Sequence, residues 1–258
     1  MVSQRSSGAD SRHSRFSVKP VGSSANTFEP ASGSLSIVIP TLNAEDEIHG
    51  CLSSSLFVPT AKGLIKEVIV SDGGSTDQTK LIAESMGAHW IDTPIGRGAQ
   101  LAAGAEAATG QWLLLLHADT WLTAAWAADA MRHVMNSPEN AAVFRLAYRS
   151  DSKKARWLAR TANWRSRALG LPYGDQALLI SEQLYRRVGG YQNVPLMEDV
   201  MIMREIGKHR LSLLSAEART SPQKYERDGW SRRACRNAWL VTQFLLGANL
   251  DTLADSYT

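Results

Sequence analysis

From Leu35 onward the chain alternates short apolar runs with stretches of helical period. Leu35–Pro40, Glu67–Ser71, His89–Ile91 and Gln111–Leu116 read as strands, each a buried run bounded by turn residues. Between them the spacing predicts helices over 45–57, 76–86 and 97–109. Strands separated by helical crossovers imply a doubly wound α/β sheet, mostly parallel, with helices on both faces. Farther along, the pattern predicts a helix over 122–136, a strand at Ala141–Tyr148 and a basic helix over 152–169. A strand at Ala177–Ser181, a helix from Glu198 to Lys208, a strand at Leu211–Leu214 and a helical region from Ser231 follow. No internal repeat interrupts this order.

Residues 1–34 break the pattern: they hold ten Ser, four Lys or Arg and two acids with almost no large apolar side chains. Such a segment cannot bury enough surface to offset its ordering entropy, so it reads as a disordered tail preceding one domain over 35–258. Asp10 and Glu29, and the lack of an amphipathic stripe, speak against a transit peptide. The longest apolar runs, Trp112–Leu116 and Ala124–Ala128, are far short of the ~20 residues that a membrane span needs, so no transmembrane segment is expected. Cys51 and Cys235 are far apart, with no metal-binding spacing, which fits reduced thiols in a cytoplasmic protein. A net charge of +3 does not call for nucleic acid, but it suits an anionic ligand.

In a doubly wound sheet, ligands bind beyond the carboxyl ends of the strands, and the loops there carry the polar residues. Pro40, Thr41, Asn43 and Glu45 follow the first strand, and Asp72, Gly73, Gly74, Ser75 and Thr76 follow the second. A carboxylate at a strand end beside glycines suits recognition of a base or ribose edge; the same residue types also cap helices. Gly96-Arg97-Gly98 opens the third helix without the GxGxxG spacing, which excludes a dinucleotide-binding dehydrogenase. Arg97 beside a helix N-terminus favours a diphosphate. The fourth strand delivers His117 and Asp119, two residues apart, and one carboxylate there can bind Mg2+ or Mn2+ bridging nucleotide phosphates. The alternative for Asp119 is a cap on the helix expected from Leu122.

SIVIPTLNAE, VSDGGSTDQT, GRGAQLAAGA and LLLLHADT, in that order over 36–120, resemble the nucleotide-binding half of the inverting GT-A glycosyltransferases of family 2. Gly174-Asp175-Gln176, Pro195–Asp199 and Lys224–Gly229 are similar to a compact bacterial branch of that family. The resemblance implies a GT-A, Rossmann-like fold and transfer of a sugar from a nucleoside diphosphate donor, with UDP favoured, to a hydroxyl acceptor on a lipid or glycan. It puts Glu45 and Asp72 at nucleoside-contacting positions and makes Asp119 the metal-binding acid and Asp199 the catalytic base. By the same resemblance Gly174, Asp175 and Gln176 lie on the acceptor or phosphate side. Gly73 stands where the family's second acid is usual, and His117 where the first Asp of its metal element is common.

Glu198 and Asp199 also make chemical sense by themselves, because an inverting transfer needs a base for the acceptor proton, and adjacent carboxylates offer a base and an orienting partner. A helix N-terminus enriched in acids is the plain alternative. Arg97, with Lys224 and Arg227, would neutralise charge on the departing diphosphate. A nucleotidyltransferase is the nearest alternative enzyme, but Pro40–Glu45 lacks its Gly-rich, basic loop. A non-catalytic nucleotide-sugar-binding protein is the other alternative. The basic helix interleaves Lys153, Lys154, Arg156, Arg160, Arg165 and Arg167 with Trp157 and Trp164. It fits an anionic membrane surface, a place near a phosphorylated acceptor, or a solvated helix whose Trp side chains pack inward. Trp239, Leu240, Phe244, Leu245 and Leu246 either complete the core or form a lipid-facing groove.

Overall fold

The computed structural model describes residues 34–250 and 253. Most of the tail expected over 1–34 lies outside them, but Ser34 does not: it is buried, and its carbonyl accepts from the Trp112 amide at 3.0 Å. Ser34 therefore belongs to the packed domain rather than to the expected tail.

Among the described residues eight strands form one sheet, in the order His89–Asp92, Ile65–Asp72, Leu35–Thr41, Trp112–Leu115, Leu178–Ser181, Ala141–Tyr148, Leu211–Thr220 and Thr120–Leu122. β1 (Leu35–Thr41), β2 (Ile65–Asp72), β3 (His89–Asp92) and β4 (Trp112–Leu115) run parallel to one another. Their crossovers are α1 (Glu45–Leu56), α2 (Thr79–Ser85) and α3 (Arg97–Ala107). β1 is buried along its whole length, as a strand covered on both faces must be. α3 packs closely on it: a Cβ at Gly104 would meet Val38 Cγ1 at 2.3 Å, and one at Gly98 would meet the Gln192 carbonyl at 2.2 Å. Gly98 and Gly104 of GRGAQLAAGA thus serve packing in this fold, while Gly96 takes a positive φ of 136° at the start of the helix.

β5 (Thr120–Leu122), α4 (Trp126–Asn136), β6 (Ala141–Tyr148) and α5 (Lys153–Leu169) follow, then β7 (Leu178–Ser181) and α6 (Glu182–Arg187). α7 (Glu198–Ile206), β8 (Leu211–Thr220), α8 (Gln223–Asp228) and α9 (Trp230–Leu245) complete the described chain. β7 is antiparallel to both β4 and β6, whereas β6 and β8 are parallel.

Two expectations are corrected here. Residues 122–125 are not helical, because Thr120–Leu122 pair antiparallel with Ala218–Thr220; the helix starts at Trp126. The strand expected at Leu211–Leu214 continues to Thr220, with Ala216, Ala218 and Thr220 buried and Ser215, Glu217 and Arg219 facing outward more. That alternation has the period of a strand, but alanine's small side chain and weak strand preference hide it. The extension matters for the site, since it carries the chain to Ser221, whose amide donates to the Asp119 carbonyl at 3.1 Å.

Candidate active site

The loops after β1 and β2 are laced together rather than capping their helices by side chain. The N-caps of α1 and α2 are Ala44 and Gln78, and neither makes a side-chain capping bond. The Asn43 amide donates to Ser75 Oγ at 2.7 Å, Asn43 Oδ1 accepts from the Thr76 amide at 2.9 Å, and Glu45 Oε2 accepts from the Gln78 amide at 2.9 Å. Asp72 is buried. Its carboxylate accepts from Thr41 Oγ1 at 2.8 Å, the Gly74 and Ser75 amides at 2.8 and 2.6 Å, and Ser75 Oγ at 2.5 Å. The acid expected to read a nucleoside therefore has its oxygens engaged in fixing its own loop, while Asn43 and Glu45 remain exposed.

The main cleft, about 860 Å³ including its open mouth, lies beyond β4. Arg97, His117, Asp119, Gly174, Asp175, Asp199 and Lys224 all line it, which brings seven sequence-predicted residues together from five separate segments. Pro40, Thr41, Asn43, Glu45, Asp72 and Gly74 are not in its lining. Gln176 is buried behind it, where Nε2 donates to the Phe144 carbonyl at 2.9 Å and Oε1 accepts from Ser166 Oγ at 2.6 Å. Arg227 turns away, with Nε 2.8 Å from Asp228 Oδ1. Gln176 thus supports the fold behind the cleft and Arg227 pairs with its neighbour, so neither lines the cleft as expected.

His117 and Asp119 sit in a turn past the end of β4, closed by the Thr120 amide donating to the His117 carbonyl at 3.1 Å, and not on the strand itself. Asp119 is no helix cap, since α4 begins seven residues later. Burial, with Arg97 next in effect, pushes the His117 imidazole down to about 4, so the ring is neutral at pH 7. It packs against the Gly174 backbone so closely that a Cβ at 174 would lie 2.5 Å from Nε2.

Met197 enters α7 in the left-handed conformation, at φ 68°, and so sets the two acids of its first turn. Glu198 points into the protein and meets Arg97 Nε at 2.6 Å; Asp199 faces the cleft. Burial raises the Glu198 carboxyl above its ordinary range, with the Arg97 charge opposing. Asp199 Oδ2 accepts from the Gly174 amide at 2.9 Å, and Oδ1 from the Val200 amide at 2.8 Å. Both bonds fix the direction of the Asp199 carboxyl group. Beside Gly174, Asp175 Oδ1 is buried without a hydrogen-bond partner, and burial pushes that carboxyl up to about 6.

Lys224 Nζ lies 3.8 Å from Asp119 Oδ2. Among the described residues no three or more His, Cys, Asp or Glu groups form a ready metal cage. One exposed-edge carboxylate at a phosphate-sized cleft nevertheless suits Mg2+ or Mn2+, which take one or two protein carboxylates and fill their remaining positions with phosphate and water.

The sequence reading missed the far wall of this cleft, made by Tyr173, Thr220, Ser221, Tyr225, Arg233 and Asn237. The signal was present in part. Arg233 is an almost fully buried cation on α9, paired with Asp228, and a buried charge needs such a partner. Tyr173 carries the Arg165 guanidinium 3.5 Å from its ring centre.

Residues 36–193 match the family model described as Glycosyl transferase family 2. A PGL/p-HBAD biosynthesis glycosyltransferase of Mycobacterium bovis is 36% identical over 111 residues, covering 40% of this chain and 41% of that protein. A glucosyl-3-phosphoglycerate synthase of Mycolicibacterium paratuberculosis is 33% identical over 98 residues, covering 34% and 29%. The chain thus aligns with less than half the length of the curated relatives it matches. Among solved structures, S. aureus TarS 1–349 in complex with UDP-GlcNAc superposes with a TM-score of 0.55 at 18% identity, over 72% of this chain and 58% of that one. Glucosyl-3-phosphoglycerate synthase from Mycobacterium tuberculosis, in complex with Mn2+, UDP and glucosyl-3-phosphoglycerate, gives 0.52 at 20% identity, over 79% and 77%. At such identities the likeness is one of fold, and the fold is GT-A.

Proposed function

The chain belongs to glycosyl transferase family 2, and from that premise we propose that it moves a sugar from a UDP-sugar to an acceptor hydroxyl with inversion, using Asp199 as base. The observation that carries this reading is the convergence of two sets of groups on one cleft. Arg97, Asp119 and Lys224 can hold a charged diphosphate, and Asp199 is a carboxylate oriented by two backbone amides. The UDP and Mn2+ bound by the solved neighbours support the donor and metal assignment.

In this reading the acceptor hydroxyl approaches Asp199, which takes its proton as the oxygen attacks the anomeric carbon. The bond to the diphosphate breaks on the opposite face, and the configuration inverts. Arg97, held by Glu198, and Lys224, released from Asp119, face the oxygens that gain charge. Asp119 would hold Mg2+ or Mn2+, which when bound supplies further charge neutralisation at the diphosphate. His117, neutral and pressed against Gly174, keeps the loop that orients Asp199 in place.

Calorimetric titration with UDP, with and without Mn2+, tests the donor half. Binding that strengthens with Mn2+ in the native chain and loses that dependence in Asp119→Asn supports the assignment. Unchanged Mn2+ dependence in that variant removes Asp119 from the metal site. Donor binding with no turnover toward any acceptor or water would favour a non-catalytic binding protein.

A further inference from the structure

α5 holds six Lys or Arg and α9 three, and neither holds an acid. On α5 the residues at 153, 157, 160, 164 and 167 recur at helical spacing on one side, so that Lys153, Trp157, Arg160, Trp164 and Arg167 form a single stripe. Ala155, Ala159, Ala162 and Ser166, which the helix buries, lie on the opposite side. The tryptophans therefore do not pack inward: Trp157 is 65% exposed and Trp164 66%. α9 repeats the arrangement. It buries Leu240, while Trp239 is 63% exposed on the side shared with Arg232, and Leu245 and Leu246 beyond it are also exposed. Among the described residues none of Lys153, Arg160, Arg167 and Arg232 forms an ion pair.

Large indole surfaces left in water cost free energy unless something covers them, and cations without acidic neighbours call for an anionic partner. Indole rings alternating with basic side chains match one environment in both respects: the headgroup layer of a bilayer, apolar below and negatively charged above. We propose that the outer faces of α5 and α9 dock the protein on an anionic phospholipid surface, with Trp157, Trp164 and Trp239 entering the interface and Lys153, Arg160, Arg167 and Arg232 meeting lipid phosphates. Arg233, Asn237, Leu240 and Val241 on the inner side of α9 line the main cleft, so the docked helix would stand between the lipid surface and that wall of the cleft. The inference rests on these two helices alone and stands apart from the catalytic reading.

The test is co-sedimentation of the full chain with vesicles of phosphatidylcholine, alone or mixed with phosphatidylglycerol. The chain is expected to bind the mixed vesicles, to release them as salt rises, and to show a blue shift of tryptophan emission on binding. Arg160→Gln with Arg167→Gln should lower the partition coefficient about tenfold or more, since each cation near an anionic surface contributes about fivefold. Trp157→Ala with Trp164→Ala should lower it by about tenfold and remove much of the blue shift. Unchanged UDP binding and melting in both double variants would show that the fold and the donor site are intact. Failure of the native chain to bind the mixed vesicles overturns the proposal, and so does undiminished binding by both double variants. Retention of a duplex DNA or RNA probe in the absence of vesicle binding would overturn it in favour of a nucleic-acid surface.

Discussion

Arg97 Nε stands 2.6 Å from Glu198 Oε1, joining the first turn of α3 to the first turn of α7. The pair is asymmetric: the arginine is 43% exposed at the cleft, while the glutamate is almost wholly buried. Glu198 therefore acts as the fixed anchor and Arg97 as the arm it aims.

Glu198→Gln should separate anchoring from stability. Burial already opposes the Glu198 charge, and the exposed guanidinium can turn to water, so the substitution should leave the melting temperature near that of the native chain. Arg97 would lose its fixed direction, and UDP affinity should fall by about fivefold to tenfold. Calorimetry and a thermal melt on one preparation check this; a large fall in melting temperature with unchanged UDP affinity would assign Glu198 to the core instead.

Gly174→Ala tests the contact between two loops. Its Cβ would lie 2.5 Å from His117 Nε2, so either the ring or the Gly174 backbone must move, and the latter carries the amide bound to Asp199. Transfer should fall at least about tenfold, with a stability loss of about 1–3 kcal/mol, typical of overpacking. Steady-state rates and urea unfolding measure both; a variant with native rates would show that Asp199 needs no such support.

Asp72→Asn addresses the buried acid of the second loop. An amide nitrogen placed among donors from Thr41, Gly74 and Ser75 leaves at least one of them unpaired. Unfolding free energy should drop by about 2–4 kcal/mol. Native stability combined with lost UDP binding would reverse this assignment and return Asp72 to direct contact with the nucleoside.

Asp175 gives a pH signature with a definite sign. Its folded carboxyl titrates at about 6 against an ordinary value of 3.8, so between those values the folded state binds more protons than the unfolded one. Its contribution to stability is therefore most favourable below pH 4 and is lost as pH rises to about 6. Asp175→Asn should flatten this slope and raise stability at pH 7 by about 1–2 kcal/mol. Urea unfolding across this range checks it; an unchanged slope would mean that Asp175 stays ionised in the folded protein.

The strands that form the parallel half of the sheet were legible because a strand buried on both faces is a continuous apolar run, as in Val38, Ile39, Leu113 and Leu114. The C-terminal half of β8 and the whole of β5 were not. SAEART pairs small alanines with polar residues, and Thr120–Leu122 is held by long-range pairing with 218–220, which no local pattern encodes. That pairing is what sets the approach of Lys224 to Asp119, so motif residues far apart in sequence became neighbours for a reason outside the motifs. α6 left a signal that went unread: Ser181 caps it, with Oγ accepting from the Leu184 amide at 3.2 Å. Asp72 shows the converse limit, since an acid at a strand end looks alike in sequence whether it faces a ligand or its own loop.

Asp199 is the base on which the proposed transfer depends. Asp199→Asn keeps size and can keep the bond from Gly174, but it cannot accept the acceptor's proton, and a positioned base contributes ~10²–10⁴-fold. Single-turnover transfer from a UDP-sugar should fall by about that factor, while the UDP-sugar dissociation constant measured on the same preparation stays within about threefold of native. Transfer at a near-native rate, or a loss of donor affinity that matches the loss of rate, would contradict the assignment.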